Sequence, residues 1–453
     1  MAGYDDTSGF EGLRSPWSRS GRPLPRRVLQ PLQSFLAEET AGALLLLAAA
    51  IVALVWVNSP WGDTYTRFWQ HELSFRFADF EISEDLRHWV NDGLMTLFFL
   101  VVGLEIKREL TTGELRDPRA AALPAIAALG GMVVPAAIYV ALNAGGEGSS
   151  GWGIPMATDI AFALGVLTLA ARSAPASLKP FLLTLAIVDD IGAILVIAVF
   201  YSDGVSWTAL GVALGLMIVI VALQRIHVRA TAVYVLLGIG VWLAVFESGV
   251  HPTIAGVALG LLTPSVPFQR PKAVSEEAHR TADETVDDPD PPDADAQYWL
   301  RLASLSREAV SPLARVEEAL HPWTSSAVVP IFALANAGVV FTTEAMRSAV
   351  TSPVAIGVFL GLVVGKTLGI SLASLLAVRS GVGRMPTGAG VRHLVGTAAV
   401  AGIGFTVSLF VTELAFADPA TADVAKIGIF AASIAAGALG FWVLRSGTHS
   451  RAT

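Results

Sequence analysis

Apolar stretches of close to twenty residues recur from one end of the chain to the other, joined by short polar connections. At about 1.5 Å of rise per helical residue, each is long enough to cross the ~30 Å hydrocarbon core of a bilayer. The pattern predicts twelve spanning helices, at about 35–58, 87–106, 121–142, 154–172, 180–201, 206–224, 230–247, 249–264, 321–341, 354–379, 391–416 and 421–445. Polar sequence precedes the first span and no small-residue cleavage site follows it, so it is expected to be a retained helix and not a signal peptide. Two longer polar segments interrupt the series. Residues 59–86 form an outer loop whose "LSFRFADFEIS" alternates apolar and polar positions and predicts a short β-hairpin. Residues 265–311 hold "ADETVDDPDPPDADA", a Pro- and Asp-rich composition expected to be disordered. The expected organisation is a disordered cytoplasmic tail (1–34), spans one to eight (35–264), an acidic cytoplasmic linker (265–311), spans nine to twelve (312–446) and a short cytoplasmic tail (447–453).

Composition agrees. Of 453 residues, 53% are hydrophobic and 15% charged, against about 25% charged in soluble domains. Arginine and lysine set the orientation. With the N-terminus in the cytoplasm, 24 of the 30 basic residues fall inside and five outside (Arg67, Arg76, Arg87, Arg347 and Lys426), with Lys366 within a span. An all-α polytopic membrane protein with both termini in the cytoplasm follows. The chain has no cysteine, which excludes disulfides and thiolate metal sites.

Polar residues inside the spans carry the chemistry, because a charge at the bilayer centre costs at least roughly 2.5–3.5 kcal/mol. The fourth span opens "SGWGIPMATDIAFALGVL". Pro155 lacks an N–H and breaks or starts a helix, Gly151 and Gly153 are expected to loosen the backbone before it, and Thr158 and Asp159 follow. Asp159 is either an ion-site acid or a buried hydrogen-bond acceptor. The fifth span holds Asp189 and Asp190 side by side, about 100° apart on a helix, so that one can face a cavity while the other meets a partner. Lys366 in the tenth span is the natural counter-charge, in a transport site or a structural pair. In "VAGIGFTVSLF" of the eleventh span, Gly402 and Gly404 flank Ile403 and allow local unwinding or close packing, with Thr406 just beyond.

These residues lie in motifs that together resemble the NhaA family of bacterial sodium/proton antiporters. They are "NDGLMTLFFLVVGLEIKREL" (91–110), "MATDIAFALGVL" (156–167), "LAIVDDIGAILVIAVFY" (185–201), "SGVHPTIAGVALG" (248–260), "LHPW" (320–323), "LANAGV" (334–339), "GKTLGISL" (365–372) and "GIGFTVSLF" (402–410). The likeness runs from about residue 35 to 445. NhaA is itself a standing example of inverted-topology repeats built around discontinuous helices. The resemblance implies that spans four and eleven are broken at mid-membrane and cross. Asp159 would offset the positive helix ends there and Lys366 the negative ones. It further implies that Asp189 and Asp190 bind the ion and exchange protons, with Asp190 as the main Na+ ligand, Thr158 adding oxygen and Lys366 pairing with Asp189.

The implied activity is electrogenic exchange of about two H+ per Na+ or Li+ across the bacterial cytoplasmic membrane, for pH and sodium homeostasis. A homodimer joined through the hairpin is also implied. Carboxylates suit a hard cation and bind protons at the same oxygens, so the two ions compete. Glu105, Glu109, Glu317 and His251 are the implied pH-response residues. Their plainer readings are a solvated helix end for the acids of the second span, and packing for His251. Glu318 stands where the family more often has histidine, and Asp92 is read as a helix cap or ion-pair partner. No cofactor, enzymatic activity or nucleic-acid partner is expected. Intramembrane proteases are set aside, because Gly-x-Gly-Asp is absent and "HELSF" (71–75) does not complete a His-Glu-x-x-His motif. A sodium-coupled organic-anion symporter of similar inverted-repeat build is the alternative.

Overall fold

The computed structural model describes residues 39–77, 80–170, 175–202, 204–286 and 294–446; the tails expected at 1–34 and 447–453 lie outside them. Helix α1 (Glu39–Val57) turns by 116° into the short α2 (Gly62–Trp69). Asn58 fixes that corner, donating to Leu54 O and Val339 O, both at 2.8 Å, and accepting from Phe341 N at 2.7 Å. The hairpin is present: β1 (Glu72–Phe77) pairs antiparallel with β2 (Phe80–Asp85), with Phe75 opposite Ile82. Helix α3 (Leu86–Thr111) follows, with a π turn at Trp89–Leu94, and then α4 (Pro118–Asn143).

The next apolar segment is a helix pair bent at a break. Glu147–Met156 winds as a 3₁₀ helix, 157–159 is extended, and α5 (Ile160–Ala170) leaves at 47°. Ten residues is long for 3₁₀ winding, which is poorly hydrogen-bonded and usually confined to short pieces. Helices α6 (Leu178–Phe200), α7 (Trp207–Arg225), α8 (Thr231–Phe246) and α9 (Thr253–Leu262) complete the first half.

The linker differs from its expected disorder, since it carries α10 (Pro271–Val286) and α11 (Ala294–Glu308), while 287–293 lie outside the described residues. Composition weighs charge against hydrophobicity and misses local pairing. Arg280 bonds Glu277 one turn back at 2.5 Å. The segment is also tied at its ends, where Gln269 N donates to Glu308 O at 3.1 Å and Arg229 pairs with Glu308.

Helix α12 (Pro312–Trp323) runs through a π turn (Thr324–Val328) into α13 (Val329–Asn336), and α14 (Thr343–Thr351) leads to α15 (Pro353–Arg379). The second such pair is α16 (Val391–Val400) and α17 (Phe405–Ala415), again bent by 47° about residues 401–404, and α18 (Pro419–Arg445) is the last helix of the described residues. Among the described residues, six helices (α3, α4, α6, α7, α15 and α18) are long and apolar enough to cross a membrane, or nine spans if each bent pair counts as one. Helices α8 and α9 are shorter apolar ones. The protein is a mostly helical, multi-pass membrane protein.

Candidate functional site

The two bent helix pairs meet at their breaks. Asp159 N donates to Ile403 O at 2.6 Å, and Ser408 Oγ donates to Ile154 O at 2.8 Å. Helix ends leave unpaired N–H groups that a carboxylate can cap. Asp159 does this for both half-helices at once: Oδ1 accepts from Phe162 N at 3.1 Å in α5, and Oδ2 from Thr406 N at 3.1 Å and Thr406 Oγ1 at 2.7 Å in α17. Its negative charge thus sits between two positive helix ends. Of its two sequence readings, buried hydrogen-bond acceptor is the one the geometry displays. Thr406 was passed over in the sequence as a neighbour of the glycines. The signal was its place one residue into a helix that restarts after a glycine pair.

Helix α6 contributes Asp189 and Asp190, both buried. In α15 a π turn at Gly361–Gly365 immediately precedes Lys366, and such a turn inserts a residue and re-aims the side chains that follow. Lys366 is fully buried; its Nζ forms an ion pair with Asp189 Oδ2 and donates to Thr158 Oγ1 at 2.9 Å. Thr158 Oγ1 lies 2.8 Å from both Asp189 Oδ2 and Ala401 O. The negative end of α16 is therefore met by the threonine hydroxyl and only indirectly by the lysine. Asp190 lies within electrostatic reach of Asp189, Glu105, Lys366 and Asp159. Oδ1 of Asp189 and Oδ1 of Asp190 are both buried without a hydrogen-bond partner. Buried polar atoms are nearly always paired, so two adjacent exceptions mark this place.

Gly151 and Gly153, expected to loosen the backbone, are closely packed, whereas Gly402 and Gly404 are closely packed and also lie where the helix is interrupted at 401–404. A Cβ on Gly153 would lie 2.8 Å from Tyr201 Oη, which accepts from Gly153 N at 3.3 Å and donates to Ser150 O at 2.7 Å. Tyr201, not singled out in the sequence, so fastens the 3₁₀ segment to the end of α6. Gly151 is packed just as closely, against Tyr139 Oη. Pro155 neither ends nor starts an α-helix: it lies inside the 3₁₀ segment and packs its ring on Gly361 of the π turn. A Cβ on Gly402 would lie 2.4 Å from Leu362 O, and one on Gly404 2.3 Å from Ser408 Oγ. Gly402→Ala is expected to lower stability by about 1–3 kcal/mol, because a backbone carbonyl cannot swing aside as a side chain can. A thermal unfolding midpoint in detergent equal to wild type would contradict this.

The four pH-response candidates separate into three places. Arg108 pairs with Glu317, joining α3 to α12, and Glu105 lies within the field of both and of Asp190. Glu109 instead accepts from Glu114 N at 3.0 Å and stabilises the turn after α3. His251 stands apart: its ring meets Phe410 edge-on at 5.2 Å, and Nε2 is 3.6 Å from Asp92 Oδ1. Asp92 therefore lies beside the His251 ring and does not cap the helix; the cap of α3 is Asp85, which accepts from His88 N at 2.8 Å. Lys426, counted outside from the sequence, is buried and pairs with Glu413 at 2.6 Å. Among the described residues, no group of three or more His, Cys, Asp or Glu is placed to hold a metal ion.

Residues 33–444 match the family model described as Na+/H+ antiporter 1. The chain belongs to this family. The matched stretch takes in every residue of the site, from Glu105 to Lys426. It is 46% identical over 421 residues to the Na(+)/H(+) antiporter NhaA 3 of Frankia alni, covering 92% of this chain and 89% of that one. It is 44% identical over 425 residues to the Na(+)/H(+) antiporter NhaA of Oleidesulfovibrio alaskensis, covering 92% and 94%. A third relative, the Na(+)/H(+) antiporter NhaA of Syntrophobacter fumaroxidans, is 44% identical over 435 residues, covering 94% and 92%. The resemblance read from eight short motifs is thereby borne out at the level of the family.

Proposed function

We propose that this antiporter-family chain exports Na+ in exchange for protons by alternating access to the buried Asp189–Asp190 site. The observation that carries the proposal is the pair of adjacent carboxylates, each with an unpartnered oxygen, beside a buried ammonium where two spans are unwound. Na+ takes hard oxygen ligands. Asp190 supplies the principal one, Asp189 joins once Lys366 releases it, and the Thr158 hydroxyl completes the set. Protons occupy the same carboxylates, so a site carries either Na+ or H+ and crosses poorly when empty and charged. Two protons exchanged for one Na+ move net charge, driven by about 2.3 kcal/mol per charge per 100 mV. Li+, equally hard and smaller, is carried as well.

The reading places twelve spans in the cytoplasmic membrane with both termini inside, spans four and eleven crossing within inverted repeats, and a homodimer joined through the β1–β2 hairpin. The Glu105–Arg108–Glu317 group sets the pH response from the inner side and His251 from the outer.

Acid-interior vesicles holding the reconstituted protein test the reading directly. Na+ added outside is expected to alkalinise the lumen with no organic solute present. A lumen that stays acid on Na+ addition, with Na+-dependent uptake of an organic anion by the same vesicles, would favour the sodium-coupled symporter in its place.

A further inference from the structure

The hydroxyl of Tyr201 is spliced into the 3₁₀ segment. It accepts from Gly153 N at 3.3 Å and donates to Ser150 O at 2.7 Å. Those two backbone groups stand three residues apart, the spacing that 3₁₀ winding pairs with each other. A side chain on Gly153 would close the gap through which the hydroxyl reaches. Tyr139 Oη, donating to Gly148 O at 2.7 Å, and Ser408 Oγ, donating to Ile154 O at 2.8 Å, also hold the segment. Those two ties lead to α4 and α17, whereas Tyr201 leads to α6, the helix that carries Asp189 and Asp190.

We infer that the Tyr201 hydroxyl is a positioning group for the ion site, setting where Thr158 stands against Asp189. The chain from Ser150 to Thr158 touches α6 at two levels. One is Tyr201 at the end of the helix, and the other is the break, where Thr158 Oγ1 lies 2.8 Å from Asp189 Oδ2. The twelve residues from Asp189 to Tyr201 rise about 18 Å along α6. From Ser150 to Thr158, 3₁₀ winding at ~2.0 Å per residue followed by extended backbone covers about 19 Å. Wound as an α-helix up to Met156, the same stretch would be about 3 Å shorter. Winding of the 3₁₀ kind is weakly bonded and uncommon over ten residues, and the tyrosine supplies a tie from outside that keeps the segment long. Without that tie the segment can wind back toward the shorter form, and Thr158 is drawn away from the carboxylates. Tyr201 itself touches no ion; it acts through Thr158. This rests on the part of the exchange reading that makes Thr158 an ion ligand.

The test is a double-mutant cycle on the half-saturating Na+ concentration for antiport in the full-length reconstituted protein. Tyr201→Phe removes the hydroxyl and keeps the ring that stacks on Trp152. Changing a residue that only orients a ligand costs about 10–100-fold in metal affinity, so Tyr201→Phe is expected to raise half-saturating Na+ about tenfold. In a Thr158→Val background the same change should move it less than about twofold, since the group being positioned is gone. Unfolding midpoints should instead fall by similar amounts in both backgrounds, as distant sites usually do. An equal loss of affinity in both backgrounds makes Tyr201 merely structural and overturns the inference, as does an unchanged affinity in Tyr201→Phe. If Tyr201→Phe does not fold, Gly153→Ala carries the cycle, because its Cβ would lie 2.8 Å from the hydroxyl with the tyrosine in place. Na+-dependent thermal stabilisation of the purified proteins repeats the cycle without transport. A wild type that fails to exchange ions but keeps the non-additive pattern of stabilisation ends the exchange reading and leaves the positioning role standing. A wild type that neither exchanges ions nor is stabilised by Na+ ends both.

Discussion

Asp190→Asn is expected to abolish Na+-dependent proton movement while leaving the protein at least as stable as wild type. Asp190 is buried, its Oδ1 has no hydrogen-bond partner, and three of its four charged neighbours are themselves acids. A buried carboxylate in such surroundings is a standing cost to the fold, since transfer of a charge from water is repaid only by pairing. An amide of the same shape removes the charge and keeps the volume. Transport has no such substitute. Residues that merely orient a metal ligand cost 10–100-fold when changed, so loss of the principal ligand should raise half-saturating Na+ by more than about 100-fold. The two readouts therefore move in opposite directions, as happens where a site is kept at the expense of stability. Vesicle antiport and detergent unfolding measured on the same preparation check both. Retained antiport in Asp190→Asn would remove Asp190 from the site, and a large fall in stability would mean that its unpaired oxygen has been misjudged.

The neighbouring acid should behave in the opposite way. Asp189 and Lys366 form an ion pair with neither side chain exposed. Removing one partner from a buried pair strands the other and costs about 3–5 kcal/mol. Asp189→Asn strands the ammonium, and Lys366→Met strands the carboxylate with only the Thr158 hydroxyl to receive. The double variant strands no charge, because methionine is unbranched like lysine, nearly as long, and uncharged. It should recover about 3 kcal/mol relative to the sum of the two single losses, the upper end of coupling for residues in contact. Unfolding midpoints of the four proteins complete the cycle. Simple additivity would mean that the two charges do not sense each other in the folded protein. Recovered stability should bring no recovered transport, because the double variant has lost an ion ligand and a proton-exchanging group together.

Adjacent residues of one helix thus make different predictions, and the sequence could state only half of the reason. The 100° step between Asp189 and Asp190 required that they face different surroundings. It did not say which of them Lys366 would meet. That depends on how α15 is rotated against α6, and the π turn at Gly361–Gly365 resets the rotation by one residue just before the lysine. A π turn leaves no distinctive composition, so hydropathy does not register it. The glycines carry the same lesson. Gly153 stands out in the sequence for conformational freedom and Gly402 for freedom or close packing, but neither reading names the atoms that crowd them, Tyr201 Oη and Leu362 O, 48 and 40 residues away along the chain.

The linear chain was sufficient for whatever depends on each residue's own preference for oil or water. The apolar runs, the rarity of charge within them, the inward bias of arginine and lysine, and the few polar side chains placed at great cost in lipid are all local quantities. They specify a polytopic membrane protein with an acid–lysine site. Tertiary structure alone decided partnership: the double cap made by Asp159, the place of the Thr158 hydroxyl between Asp189 and Ala401, the burial of Lys426 against Glu413, and the tie between Gln269 and Glu308 at the ends of the linker. Partnership depends on the distance and rotation between segments remote in sequence. A hydrogen bond is won or lost within an ångström that no periodicity records.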